Sequence, residues 1–125
     1  VDYFGYISGT EDFDGASSAA KRMKAIAKND NLIFVMLSQL NRGGSQCEEP
    51  TMQLLKLTGD LEASGDIIFL LWRPGLDRNL TLEEKQELEY VTRLKVAKSR
   101  DGLYGPPIIE FTYNAENSRL EENYM

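Results

Sequence analysis

Four places in this sequence carry residue types that can do chemistry. Asp2 sits in an apolar, aromatic opening, VDYFGYI. An ionised carboxylate there needs a partner, because burying it bare is costly. Mg²⁺ held through water is one such partner. Backbone amides at a strand end are the other. The cluster Ser38-Gln39-Leu40-Asn41-Arg42 directly follows an uncharged apolar run. The Gln39 amide both donates and accepts, so it can orient a water or sense a phosphate. As a solvated turn, the cluster would need no ligand. Lys98 and Arg100 alternate into a Gly-bearing loop, AKSRDG. There they can reach a phosphate, or form a solvent-facing basic edge. Lys56-Leu57-Thr58-Gly59-Asp60 can hold a phosphate backbone through Lys56 and the Gly59 amide, or simply break a helix.

Other groups carry less. Glu83-Glu84-Lys85-Gln86-Glu87 is a solvated helix face, and Cys47 has no His to activate it as a nucleophile. No His occurs in the chain, which excludes His-based triads, and with a single Cys also excludes the usual zinc sites. One thiol cannot form an internal disulfide, which suits a reducing cytoplasm. The formal net charge is −6, from 14 Lys and Arg against 20 Asp and Glu, so any nucleic-acid contact must be local. Neither G-x-x-x-x-G-K-[ST] nor G-x-G-x-x-G occurs, so a nucleotide site built on Asp2 lacks its phosphate cradle within these residues. No apolar run reaches the roughly 18 residues of a membrane span, and no signal-peptide pattern opens the chain. A start at Val1, inside an apolar segment, is expected of a piece of a longer protein, or of a processed or trimmed chain.

These residues need elements to position them. Residues 1–4 read as the end of a buried strand and 8–15 as a loop. Ala16, Ala19, Ala20, Met23, Ile26 and Ala27 recur at helical spacing, predicting a helix over 15–29 capped by Asp14. LIFVML, 32–37, and IIFLLW, 67–72, read as strands buried on both faces, as in a parallel sheet. Residues 43–51 read as a loop, and 52–64 as short helical pieces around a Gly59 turn. Thr81 and Glu84 have capping-box spacing for a helix over 82–88. Alternation predicts strands over 90–97 and 108–113, joined by a loop over 98–106. Residues 114–125 are polar and expected to fray. The fold class is α/β, with a mostly parallel sheet flanked by helices and an antiparallel C-terminal edge. In such sheets ligands sit at the carboxyl ends of strands, where the polar clusters fall.

In order along the chain, these segments resemble the C-terminal part of the RecA-like motor domain of replicative hexameric DNA helicases of the DnaB type. VDYFGYISG resembles the strand that bears the Walker B aspartate, with Asp2 in that place. LSQLNRG, 37–43, is the most specific match. KLTGDLEASGDIIFLLWR, 56–73, is similar to the stretch with the central-channel loop, with Thr58-Gly59, Glu62 and Asp66 on matching positions. AKSRDG resembles the family's A-K-Q-R-N-G. Lys56-Leu57 and Ala63-Ser64-Gly65 depart from the family pattern.

The resemblance implies a partial RecA-like P-loop NTPase core over 1–125, from the Walker B strand to the C-terminus. The N-terminal half of that core, with its phosphate loop and catalytic glutamate, lies upstream. It implies Mg²⁺ and ATP as cofactors of the complete motor, with Asp2 holding Mg²⁺ through water. Gln39 would report the nucleotide to the DNA loops, and Lys98 and Arg100 would act on the neighbouring subunit's nucleotide. Arg42, Lys56, Thr58 and Gly59 would contact single-stranded DNA. Identical subunits would form a ring, a homohexamer in the full-length protein, in a bacterial or phage-infected cytoplasm. Two alternatives stand beside this: a non-catalytic truncated module that joins a helicase ring, and another RecA-like ATPase such as a recombinase.

Overall fold

A computed structural model describes residues 13–40, 49–54, 58–102 and 108–122. The expectations for residues 1–4, and for the strand end bearing Asp2, lie outside the described residues. The chain divides into two compact units. One comprises residues 1–41 and 52–65; the other comprises residues 42–51 and 66–125.

In the first unit, helix α1 spans Phe13–Asn29. It begins two residues before the expected start, so Asp14 lies in its first turn rather than at its cap. There its charge still complements the helix dipole, as Lys28 does in the last turn. Asn31 ends the helix with φ 52°, and the Leu32 N–H donates to the Ala27 carbonyl at 2.9 Å. That bond, with Asn in the left-handed region, is the Schellman stop. Ala16 and Ala20, four apart on one face, are almost fully buried. Ala19, Met23, Met36 and Leu61 pack against them. Small side chains on that face let the backbones approach closely. Leu61 belongs to α2, Thr58–Ser64, which follows a 3-10 turn at Met52–Leu54. Gly59 lies inside α2 near its start, not at a break between helical pieces.

Residues 32–37 depart from expectation. They lie in no strand, and Ile33 is 93% exposed. Leu32, Phe34, Val35 and Leu37 are exposed as well. An apolar run states that a segment is suited to burial; a strand also needs a neighbouring backbone in register, and the described residues supply none here.

The second unit is built on a four-stranded sheet in the order β1-β2-β3-β4. The strands are β1 Ile67–Trp72, β2 Val91–Ser99, β3 Ile108–Asn114 and β4 Arg119–Glu122. Every strand pairing among the described residues is antiparallel, so the parallel neighbour expected for 67–72 is not among them. Nor is β1 buried on both faces. Leu70 and Trp72 are buried while Ile67, Phe69 and Leu71 are exposed. Its continuous apolar run hides this, because β1 is an edge strand here and one of its faces lies open. Strand β4 corrects the expectation of a fraying tail. The Asn114 Oδ1 accepts from the Glu116 N–H, and the Asn117 Oδ1 accepts from the Arg119 N–H, both at 3.1 Å. With Ser118 at φ 55°, these side chains turn the chain back onto β3.

A 3-10 turn at Pro74–Leu76 and helix α3, Leu82–Glu87, connect β1 to β2. The capping box is present: Thr81 accepts from the Glu84 N–H through its hydroxyl, and Glu84 accepts from the Thr81 N–H at 2.8 Å. The Arg73 guanidinium lies 5.1 Å from the Tyr113 ring centroid and donates to the Glu89 carbonyl at 2.7 Å, so it clamps β1, β3 and the end of α3.

Two outcomes follow from this geometry. A Cβ on Gly75 would sit 2.4 Å from the Leu88 carbonyl oxygen. Gly75→Ala should therefore lower the unfolding free energy by about 1–3 kcal/mol in urea titrations, since backbone must shift to relieve the clash. The Glu84 carboxyl is held below its ordinary value, first by the Thr81 N–H and then by the Thr81 hydroxyl. A depressed carboxyl stabilises the fold above its unfolded value, roughly 4.3, and loses that contribution as pH falls below it. Glu84→Gln should make the acid-side loss of stability shallower, measured as urea midpoints at neutral pH and below that value.

Candidate functional site

The register of β1 on β2 decides where the basic side chains point. Trp72 pairs with Arg93, Leu71 with Leu94, Leu70 with Lys95 and Phe69 with Val96. The next pair is Ile68 with Lys98, so Ala97 is an extra residue, a β-bulge. Paired residues share a face of the sheet. Arg93, Lys95 and Lys98 therefore share the face of Trp72, Leu70 and Ile68. Without the bulge, strict alternation would carry Lys98 onto the face of Leu94 and Val96. The sequence holds a signal for this. Charge falls on odd positions at Arg93 and Lys95, then on even positions at Lys98 and Arg100.

Acidic partners line this row. Arg93 bonds Glu110, its partner on β3, at 2.8 Å. Lys95 pairs with Glu49, which directly precedes the buried Pro50. Arg100 pairs with Asp66 at 3.2 Å, and both side chains are 50% exposed. The Arg100 N–H also donates to the Asp66 carbonyl at 2.8 Å, extending the ladder one step beyond Ile67 and Ser99. Gly102, at φ 66°, then turns the chain away from the strand. Lys98 is half-buried, and Arg100 stands exposed in the turn that follows β2.

Lys98 lies within β2, which runs two residues beyond the expected strand end, and Arg100 lies in the turn that follows. Thr58 and Gly59 come together at the start of α2, and a Cβ on Gly59 would meet open space. Gln39 is exposed beyond residues 32–37, with the Ser38 hydroxyl donating to its carbonyl at 3.4 Å. It belongs to the first unit, and Lys98 and Arg100 to the second. Asp2, Arg42 and Lys56 lie outside the described residues. Sequence reasoning missed Asp66 as the partner of Arg100, and Ala97 as the bulge that turns Lys98.

The donor chemistry of an ammonium and a guanidinium suits phosphate oxygens. Metal chemistry is different: among the described residues no group of three His, Cys, Asp or Glu could hold an ion. No helix among them is long and apolar enough to cross a membrane.

Comparison with known proteins places the chain in a family. Residues 1–122 match the family described as DnaB-like helicase C terminal domain, and the chain belongs to that family. Over 107 residues it is 29% identical to the replicative DNA helicase DnaB of Buchnera aphidicola subsp. Acyrthosiphon pisum, covering 84% of this chain and 22% of that protein. It is 27% identical over 97 residues to the replicative DNA helicase DnaC of Bacillus subtilis, covering 76% of this chain and 20% of that one. The chain thus spans about a fifth of the length of these curated relatives. A solved DnaB-like replicative helicase, described with its interactions with primase, superposes with a TM-score of 0.79 at 23% identity over 98% of this chain and 29% of its own. A second solved structure, described as an ATPase domain, superposes with a TM-score of 0.75 at 22% identity, covering 94% of this chain and 40% of that one.

Proposed function

We propose that this chain is the C-terminal part of an ATP-driven replicative helicase motor, which unwinds duplex DNA by translocating on a single strand. The observation that carries this is the family match across residues 1–122, which contains both LSQLNRG and AKSRDG. In the complete motor, residues 32–37 and β1 would each be strands of a mostly parallel RecA-like sheet. Two uncharged apolar segments with exposed side chains support that arrangement.

When bound, ATP would supply the phosphoryl group for transfer to water, and Mg²⁺ would neutralise charge on its phosphates. Asp2 would hold the ion through water, and its place in VDYFGYISG, on the position of the Walker B aspartate, supports this. Gln39 would donate to or accept from the phosphate end of the site and pass its state to the DNA loops. Lys98 and Arg100 would reach from one subunit to the nucleotide of the next and stabilise charge on the transferring group. Arg42, Lys56, Thr58 and Gly59 would follow the backbone of single-stranded DNA without sequence preference. Identical subunits in a ring, a homohexamer, would bring these parts together in the cytoplasm.

The test is Arg100→Ala in the full-length ring. Turnover stimulated by DNA should fall by about 10³-fold or more, the scale of a lost arginine finger, while ATP binding is largely kept. Full turnover by that variant would return Arg100 to a solvent-facing basic edge. The 125-residue chain alone should show no ATP hydrolysis, because its sequence has no phosphate loop. Protein-tracking hydrolysis that dies with Asp2→Ala would favour another kind of ATPase.

DNA contact gives a separate outcome. The chain alone should bind single-stranded oligonucleotides weakly, with log affinity falling about 0.7 per neutralised phosphate per log unit of salt. Lys56→Ala should weaken binding and flatten that slope in fluorescence anisotropy titrations. Tight binding indifferent to salt would remove Lys56, Thr58 and Gly59 from the DNA interface.

A further inference from the structure

We propose that Asp66 is a positioning residue for Arg100, holding its guanidinium at the end of β2 for use on a phosphoryl group. The inference rests on the trans-acting role proposed above for Arg100.

Two contacts join the same pair of residues. The Arg100 N–H donates to the Asp66 carbonyl at 2.8 Å, and the guanidinium lies 3.2 Å from the Asp66 carboxylate. The backbone bond fixes where Arg100 leaves the sheet. The side-chain pair then limits where a long, flexible arm can point. Without it, an arginine in a turn must be ordered at the moment of reaction, and that ordering opposes catalysis.

The strength of the pair matters as well. Arg93 is paired with Glu110 across the β2–β3 ladder, and Lys95 with Glu49. Asp66 and Arg100 are each half exposed at the strand end, beside the turn that Gly102 makes. An ion pair so exposed is weak and screened. It can orient the guanidinium and still yield it to a phosphate oxygen, which carries more charge. A buried pair would orient Arg100 equally well and would not release it. Asp66 also precedes β1 directly, so its position is set by the same ladder that sets Arg100.

The test is a double-mutant cycle in the full-length ring, with steady-state ATPase as the readout. Asp66→Asn keeps the backbone bond and the shape but loses the charge. It should lower kcat by about tenfold to a hundredfold, the scale of a misplaced group, with KM for ATP little changed. Asp66→Glu should recover most of that loss. In an Arg100→Ala background, Asp66→Asn should change nothing further, because Asp66 acts through Arg100. Thermal unfolding of each variant separates a folding defect from a positioning defect. Unchanged kcat in Asp66→Asn overturns the proposal while leaving the role of Arg100 intact. So does a loss that persists in the Arg100→Ala background or tracks with a lowered Tm. Full turnover by Arg100→Ala alone would overturn both.

Discussion

The ladder between β1 and β2, with its one extra residue at Ala97, is the constraint on which the second unit depends. Six apolar residues of β1 meet a strand that alternates apolar and basic side chains. Side-chain direction alternates strictly along a strand, so a shift of one residue moves everything beyond it to the other face. The bulge makes that shift once, between the pairs Phe69–Val96 and Ile68–Lys98. Before it, Leu94 and Val96 share a face with Leu71 and Phe69. After it, Lys98 joins Arg93 and Lys95. A strand with mixed chemistry is thereby sorted into one apolar face and one that carries the charges.

The apolar surface is distributed less simply than that sorting suggests. The most deeply buried residues of β1, Leu70 and Trp72, lie on the charged face, and Phe69, at 57% exposed, lies on the apolar one. Arg93 and Lys95 explain the first observation. Their stems can cover Leu70 and Trp72 while Glu110 and Glu49 take their charged ends. The second observation describes a sheet with apolar side chains in water on its other face. Residues 32–37 have the same character in the first unit. Each unit has a small interior of its own, Ala16 and Ala20 in one, Leu70 and Trp72 in the other.

Local signals were the legible part of the sequence. Helix α1 and α3, the capping box at Thr81 and Glu84, and strands β1, β2 and β3 all rest on spacing or on a bond between near neighbours. The C-terminal strand was missed because Asn114 and Asn117 make the turn through their own side chains, without a Gly or Pro to announce it. The sense of pairing of 67–72 was illegible for a different reason. A continuous apolar run reports that both faces suit burial, but carries no information on the direction of the neighbouring strand. Residues 32–37 show the same limit, since pairing is a property of two segments and the pattern describes one. Of the candidate residues, Lys98 and Arg100 were legible because their spacing is local. Their orientation was not, because it depends on a register shift opposite Ile68 and Phe69. Gln39 was legible as a polar residue following an apolar run.

Charge closes the account of why the basic row can exist in an acidic chain. A net charge of −6 places more carboxylates than cations on the surface, and most lie far from β2 in sequence. Glu49, Asp66 and Glu110 are the ones that the fold brings to the row, from three different segments. Each is set by an element with another reason to be there: the buried Pro50, the start of β1, and the β3 ladder. Arg93 and Lys95 are therefore tied to parts of the structure that are fixed by packing. Arg100 is tied at the sheet's end, where the strand gives way to a turn and solvent reaches both partners. The row thus runs from cations paired beside the β3 ladder and Pro50 to one paired at the strand's end. The bulge is what places Lys98 between them, on the same face and one step from the turn.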